Sequence, residues 1–453
     1  MMRTLRWTFF LLCAPFLLQA QQTQPAADTV QPGTAWTLKQ CIDYALANSL
    51  QVERSGYTVE NSKLDYNQTW GGMLPQINGS ATYNFGWGRN INQADNEVTT
   101  SEQRTLSPGV SASVPLFNGL RLQNQVKQYS RSYEAANYDL QKAKNDVVLN
   151  VASLYITVVF DKEQLENAKS QLASSQQQYE RTKKQVAAGA LPRSNELNLD
   201  AQVATNEVNL ITRENNLNLS LLRLKQALQL PAGSTLDIEV PQIDVEDLVL
   251  EQSRDQIYDV ARLVMPEIKS ADLKVESSYF GVKAARGGLM PRLSLGGSYS
   301  TVYNSEFETL TGLGYVDQLK NNRGHSLGFT LTVPILNGLQ SRVALQRAKV
   351  TRKLAEVDAK ETSNTLRQSV ETAYNDAVAA SKTYNSSLRQ VQARDEAFRM
   401  TKQRFEAGAT NYVEYQVAEN DLFQAKSDLV RAKYDFIFKK KVLDFYQGKP
   451  LAY

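Results

Sequence analysis

Histidine occurs once and cysteine twice in 453 residues. That scarcity removes whole classes of chemistry. A Ser-His-Asp site would have to be built on His325, which stands in a predicted polar loop beside Gly324, and metal or thiol sites lack their clustered ligands. No glycine-rich phosphate loop precedes a Lys-Ser or Lys-Thr pair. The sequence reads as a non-enzyme, with no cofactor and no metal site expected. Cys13 falls in the N-terminal apolar run, so Cys41 is left alone downstream. It reads as a small apolar residue on a helix, with no intrachain disulfide. An excess of one charge is also missing, since 50 Lys and Arg face 47 Asp and Glu for a net +3. These charges are spread along helix faces, without the basic and aromatic cluster that a nucleic-acid partner requires.

Long hydrophobic runs are scarce too. Trp7 to Leu18 is mainly apolar, lies behind Arg3 and Arg6, and is followed by Leu18-Gln19-Ala20. It falls short of the roughly 20 residues that a membrane-spanning helix needs, so residues 1–20 read as a signal peptide cleaved after Ala20. Leu12, before Cys13, is too large for a lipoprotein cleavage site and speaks against lipidation. Residues 21–36, rich in Gln, Pro and Thr, read as a flexible linker. Nothing beyond the leader approaches a transmembrane helix. If the chain crosses a membrane, it does so with strands.

What is present is a duplication. Val114-Pro115-Leu116-Phe117-Asn118-Gly119-Leu120 returns as Val333-Pro334-Ile335-Leu336-Asn337-Gly338-Leu339. Gly338 follows Gly119 by 219 positions, and Gly408 follows Gly189 by the same 219. Gly71-Gly72-Met73-Leu74-Pro75 matches Gly287-Gly288-Leu289-Met290-Pro291 at 216, so the second copy carries three extra residues between these markers. The chain divides into a first repeat over 37–231 and a second over 232–453.

Within each repeat the apolar period changes. Thr37 and Gln40 form a capping box for a helix with Leu38, Cys41, Ile42, Ala45 and Leu46 on one face. A second helix runs toward Trp70, and its counterpart spans about Pro266 to Arg286. After Pro75 the period becomes two, with Ile77, Gly79, Ala81, Tyr83, Phe85 and Trp87 opposed to Gln76, Asn78, Ser80, Thr82 and Asn84. Leu106, Val110, Ala112, Val114 and Leu116 alternate likewise with Thr105, Ser107, Gly109, Ser111 and Ser113. In the second copy, Leu293, Leu295, Tyr299 and Tyr303 precede Leu327, Phe329, Leu331, Val333 and Ile335, which oppose Ser326, Gly328, Thr330 and Thr332. Two hairpins result, over about 76–116 and 292–335, with long polar connections at Arg89 to Arg104 and Asn304 to Gly324. A soluble β-domain burying one face is the plain reading. The strand lengths, the aromatic end of the first strand and the long loops on one side favour membrane strands.

Helical hairpins follow, over 119–230 and 338–447. No proline interrupts Gly119 to Gly189, and such a run makes a helix of roughly 100 Å at 1.5 Å per residue. Val151, Val158, Leu165, Leu172, Tyr179 and Val186 recur every seven, with Leu154, Ala168 and Ser175 in the second register. Leu191-Pro192 starts a returning helix striped by Leu197, Ala201, Ala204, Val208 and Ile211. Tyr415, Leu422, Leu429, Phe436 and Leu443 repeat the heptad in the second copy, with Ala418, Ala425 and Ala432 between. These are coiled-coil seams turned at Gly189 and Gly408. Between the copies, Pro231 to Asp247 holds a short strand at Leu236 to Val240 and a crossover loop.

Four strands cannot close a membrane barrel alone. Two chains would give eight strands and a plugged lumen, and three would give twelve. The Ser, Thr, Gly and Asn linings favour the wider bore.

The duplication, the strand-Val-Pro-Leu-Phe-Asn-Gly-helix junctions, the glycine-turned helical hairpins and Met265-Pro266-Glu267-Ile268 resemble the TolC-like outer-membrane efflux protein family over essentially the whole mature chain. The resemblance implies a mainly α fold with a membrane β-barrel: a homotrimer whose twelve-stranded barrel in outer-membrane lipid continues into a twelve-helix periplasmic tunnel. It implies passive export through a tripartite efflux or type I secretion complex, docked to a periplasmic adaptor (membrane fusion) protein and an inner-membrane RND or ABC-type transporter. Gly189, Ala190, Leu191, Gly408, Ala409 and Thr410 become the candidate adaptor-contact turns. At the entrance, Glu414 stands where an acidic ring is expected, while Phe405, Thr410 and Asn195 replace the tyrosine, arginine and acidic partner of the family's closing network. Closure would then rest on coiled-coil packing or on Arg193, Glu196 and Arg404. A solvated helix charge is the bland reading of Glu414. The rival function is a periplasmic adaptor or structural coiled-coil protein, which would need one helical hairpin flanked by compact β-domains. Few Met and one His speak against a soft-metal cargo, and the sequence leaves the cargo and pump class open.

Overall fold

The computed structural model describes residues 35–91, 98–241 and 253–449. The expected signal peptide with Cys13, the expected linker up to residue 34 and residues 242–247 of the crossover lie outside the described residues. The elements run in two matched series. Helices α1 (Leu38–Asn48) and α2 (Leu50–Gly71) lead into strands β1 (Gln76–Ile91) and β2 (Val98–Phe117), then into α3 (Arg121–Ala187) and α4 (Arg193–Ala227). The second series is α5 (Arg254–Val264), α6 (Pro266–Gly287), β3 (Arg292–Ser300), β4 (Tyr303–Asn304), α7 (Ser305–Thr311), α8 (Tyr315–Asn321), β5 (Gly324–Thr332), α9 (Gln340–Glu406) and α10 (Tyr412–Tyr446). Helices α3 and α9 have 67 residues each, and α4 and α10 have 35 each. The offset read from the glycines therefore fixes whole elements.

Local chemistry explains the boundaries. Thr37 and Gln40 form the expected capping box of α1. Helix α5 was not expected, although Ser253 and Gln256 cap it in the same way. It occupies the place of α1 in the second repeat. Both long helices start after two consecutive left-handed residues, Gly119-Leu120 and Gly338-Leu339. At the first junction glycine is required twice over, because a Cβ on Gly119 would stand 2.6 Å from the Gly287 carbonyl oxygen and from Met290 Cβ.

The sheet is antiparallel in the order β1-β2-β3-β5, with β4 paired to β2. Ile77 faces Ala112, Ala112 faces Gly297, and Gly297 faces Leu327; Val114 faces Leu295, and Leu295 faces Phe329. The apolar sets of all four long strands thus share one face. On the other, Ser111 faces Ser298 and Ser298 faces Ser326, with a hydroxyl hydrogen bond of 2.8 Å between the last two.

Several expectations change. The strands β1 and β2 run into the expected polar connection, pairing Arg89 with Thr100 and Ile91 with Val98, because the β-branched Val98 and Thr100 favour the ladder. The connection from Asn304 to Gly324 holds α7 and α8 rather than an open loop. They are fixed by buried Gln318, which accepts from Asn304 N and donates to the Asn304 and Leu313 carbonyls. His325 lies in β5 opposite Tyr299, not in a loop. Leu116 is the extra residue of a bulge, so Phe117 meets Leu293. Strand β5 stops at Thr332, and Val333 and Ile335 stand beyond it. The strand expected over Leu236–Val240 is a single bridge from Ile238 to Trp36.

The largest core lies at mid-length of the long helices. Val151, Val158, Val159 and Ile437 are fully buried there with Leu224 and Leu228. Tyr155 anchors the crossover to it, donating to the Glu239 carbonyl at 2.6 Å. This part of α3 falls in a helix that carries one stretch apolar enough by composition to cross a membrane, which revises the expectation that no such segment exists beyond the leader. Burial inside the chain covers 44% of that stretch. A smaller core joins Ile257, Ala261 and Met265 to Leu366, Val370, Ala377 and Leu443.

Candidate functional site

Below the large core, α4 packs back along α3, and α10 along α9. Val151, Val158, Leu165, Ala168 and Ser175 are buried as the heptads require, as are Tyr415, Leu422, Ala425, Ala432, Phe436 and Leu443. The α4 stripe is different. Leu197, Val208 and Ile211 are more than half exposed, and α4 turns Leu199, Asn206, Ser220 and Leu224 inward instead. The apolar stripe was real, but it does not face its own hairpin.

The two hairpins meet along a polar seam. Ser427 donates to Gln164 Oε1 at 2.6 Å, and Gln164 Nε2 returns a bond to the Ser427 carbonyl at 3.1 Å. Ser174 donates to Glu419 at 2.6 Å, and Gln416 reaches Gln202.

At the tips, Gly189 and Gly408 adopt φ of 73° and 70°. Ala190 N donates to the Gln185 carbonyl and Ala409 N to the Arg404 carbonyl, at 2.9 and 2.8 Å. This is the Schellman closure that left-handed glycine permits. Asn411 caps α10 by accepting from Glu414 N at 2.9 Å, whereas Pro192 caps α4 without a side-chain bond.

A cavity of about 700 Å³ opens between the tips, lined by Ala190, Leu191, Asn195, Phe405, Gly408 and Thr410 among others. The structure thus brings six of the sequence-predicted residues to one hollow. Gly189, Ala409 and Glu414 do not line it. Glu414 instead takes a hydrogen bond from Thr410 and lies 3.9 Å from the Arg404 guanidinium. It stands at the duplicate position of Asn195.

Sequence reasoning missed an aromatic cluster beside this hollow. Phe405 lies 5.0 Å from Tyr415 and 6.2 Å from Tyr412 between ring centroids, and Phe398 lies 5.5 Å from Tyr415. Burial, reinforced by the Glu419 carboxylate, pushes the Tyr412 hydroxyl up to about 12 and moves Tyr415 upward as well. The only signal in the sequence was that Tyr415 opens the α10 heptad. Among the described residues, no group of His, Cys, Asp and Glu side chains could hold a metal ion.

The model of the outer membrane efflux protein family matches residues 41–229 and 257–443, and the chain belongs to that family. It is 21% identical over 450 residues to the outer membrane efflux protein BepC of Brucella suis biovar 1 (strain 1330), covering 99% of this chain and 93% of the relative. It is 26% identical over 408 residues to the outer membrane protein OprJ of Pseudomonas aeruginosa, covering 85% and 78%. Among solved structures it resembles CusC with a TM-score of 0.77 at 20% identity, covering 93% of this chain and 96% of that one. The protein is thus an outer-membrane efflux protein. That assignment sets aside the adaptor alternative.

Proposed function

We propose that three copies of this chain close into a twelve-stranded barrel in outer-membrane lipid, continuous with a twelve-helix periplasmic tunnel, through which solutes leave passively. One observation carries the reading: each chain ends in matching open edges. Strand β1 ends one side of the sheet and β5 the other. The strand-bearing helices follow the same order, α2 on α3, α3 on α6, α6 on α9. Helix α2, before β1, exposes Leu50, Tyr57 and Leu64 every seven residues, and α9, after β5, exposes Val343, Val350 and Val357 every seven. Unpaired strand edges are intolerable in lipid, and exposed heptads are half of a seam. A neighbouring copy satisfies both at once.

In this assembly the repeats 37–231 and 232–453 each supply one strand pair and one helical hairpin. The exposed α4 stripe faces another copy. The turns at Gly189 to Leu191 and Gly408 to Thr410 present the tips to a periplasmic adaptor, and an inner-membrane RND or ABC-type transporter feeds the tunnel. Glu414 copies converge at the entrance, alternating with Asn195, and favour cations. Phe405 and Thr410 replace a polar lock with aromatic packing and a carboxylate tether.

Mass measurement of the detergent-extracted protein tests the assembly: three chains are expected, and a stable monomer without detergent would sink it. Cysteines at Val114, Phe329 or Leu331 should resist a water-soluble thiol reagent, while those at Ser111, Thr330 or Thr332 should react. Equal labelling would mean that the sheet's faces are misassigned. In planar bilayers Glu414→Gln should lower cation preference without changing trimer formation; unchanged selectivity would return Glu414 to the solvated surface.

A further inference from the structure

The duplication places arginine and glutamine at matching positions where the sheet meets the helices. Arg121 opens α3 and Gln340 opens α9, while Gln76 opens β1 and Arg292 opens β3. Arg292 pairs with Thr332 and Gln76 with Ser113, on the hydroxyl-rich face of the sheet. Arg121 and Arg292 line one cavity of about 490 Å³ with Ser294 and Thr332. Arg121 and Gln125 also line a second, of about 460 Å³, which Gln128 and Gln340 extend between α3, α6 and α9. The two hollows form one trough through these shared residues.

No Asp or Glu lines either hollow. Neither arginine takes part in an ion pair among the described residues. The contrast is with Arg131, Arg352 and Arg367 on the same long helices, each held by a glutamate within 3.1 Å. A guanidinium left without a carboxylate, among amide and hydroxyl donors, is suited to a planar or tetrahedral anion. Symmetry would repeat both arginines around the bore and sum their fields.

We propose that this trough is a binding step for anionic groups, phosphate, sulfonate or carboxylate, on solutes passing through the channel. It rests on the reading of the hydroxyl face as the bore. The barrel floor then selects for the charge opposite to that favoured by Glu414 at the entrance, so a zwitterionic solute meets a complementary group at each end.

The test uses the full-length channel in a bilayer of phosphatidylcholine, which has no net charge, with pyrophosphate as the probe. Pyrophosphate should partially block the native conductance. In Arg121→Gln/Arg292→Gln, which places at each site the residue that the other repeat already carries, the blocking concentration should rise by more than about tenfold. The reversal potential in a KCl gradient should also move toward cation preference. A native channel indifferent to pyrophosphate, or equal block in the double variant, overturns the anion site. Thr330→Cys separates the two readings. If it fails to react with a water-soluble thiol reagent, the bore assignment and the site fall together; if it reacts while block is unaltered, the anion site alone falls.

Discussion

Gly189 and Gly408 end their helices with the same left-handed turn and the same backbone hydrogen bonds, yet the two tips are anchored differently. The first enters α4 through Pro192, with exposed Arg193 and Ser194 behind it. The second enters α10 through the Asn411 cap, ties Thr410 to Glu414, and stacks Phe405, Tyr412 and Tyr415 into a partly buried cluster. The turn is backbone physics, which a duplication carries along unchanged. Anchorage depends on side chains, which the two copies no longer share. The difference gives the channel two kinds of tip, one bare and one braced, side by side around a single hollow.

Removing the brace should have the largest effect. Tyr415→Ala deletes a buried ring and should cost the second tip about 3 kcal/mol, read as faster amide hydrogen exchange across 400–420. Glu196→Ala, at the duplicate position, should stay within about 0.5 kcal/mol. Equal effects would show that the first tip is braced by contacts of similar strength. Next, Gly189→Ala and Gly408→Ala should each cost about 1 kcal/mol, and by the same amount. Neither glycine has an atom within 4 Å of an added Cβ, so only backbone strain is felt. Thermal melting of the two variants that differed markedly would mean that the turns are not equivalent.

Asn411→Ala removes the α10 cap and should cost about 1 kcal/mol, whereas Pro192→Ala breaks no side-chain bond at the first tip. Hydrogen exchange at Val413 and Glu414 checks this. The smallest effect is alkaline. Tyr412 is held protonated to about 12 against an ordinary value of 10.0. The folded tip therefore binds more protons than the unfolded chain above pH 10, and its stability is full below that pH and falls as pH rises toward about 12. Tyr412→Phe should lessen this loss at the second tip, with Tyr415 carrying the remainder, and leave the first unaffected. A steep alkaline loss that persists in the variant would assign it to Tyr415 or elsewhere.

Much of this comparison was legible in the residues. The spacing of 219 between Gly189 and Gly408 located both turns, and the run without proline after Gly119 gave the long helices. Period two gave the strands, because alternation of Leu327, Phe329 and Leu331 with Ser326, Gly328 and Thr330 has one geometric meaning. Local signals were weaker. Helix α5 is short, and its signals were its Ser253–Gln256 capping box and an amphipathic pattern that buries Ile257 and Ala261 one turn apart. The bulge at Leu116 left no mark in a pattern that continued through it.

Periodicity determines which residues share a face, since that follows from the rise and turn of the backbone alone. It does not determine what the face meets. Leu197, Val208 and Ile211 form a stripe by sequence, but only the packed chain shows that α4 turns it outward and buries Leu199 and Asn206 instead. Phe405, Tyr412 and Tyr415 were scattered letters until the turn at Gly408 folded α10 against α9. Arg121 and Arg292 lie 171 positions apart and share a cavity only because β2 and β3 pair. Sequence by itself determined the long helices and long strands, their duplication and which residues share a face, which are local consequences of chirality and hydrogen bonding. Tertiary structure decided which faces are covered, which charges stand unpaired and which tip is braced, because those depend on contacts between residues far apart in the chain.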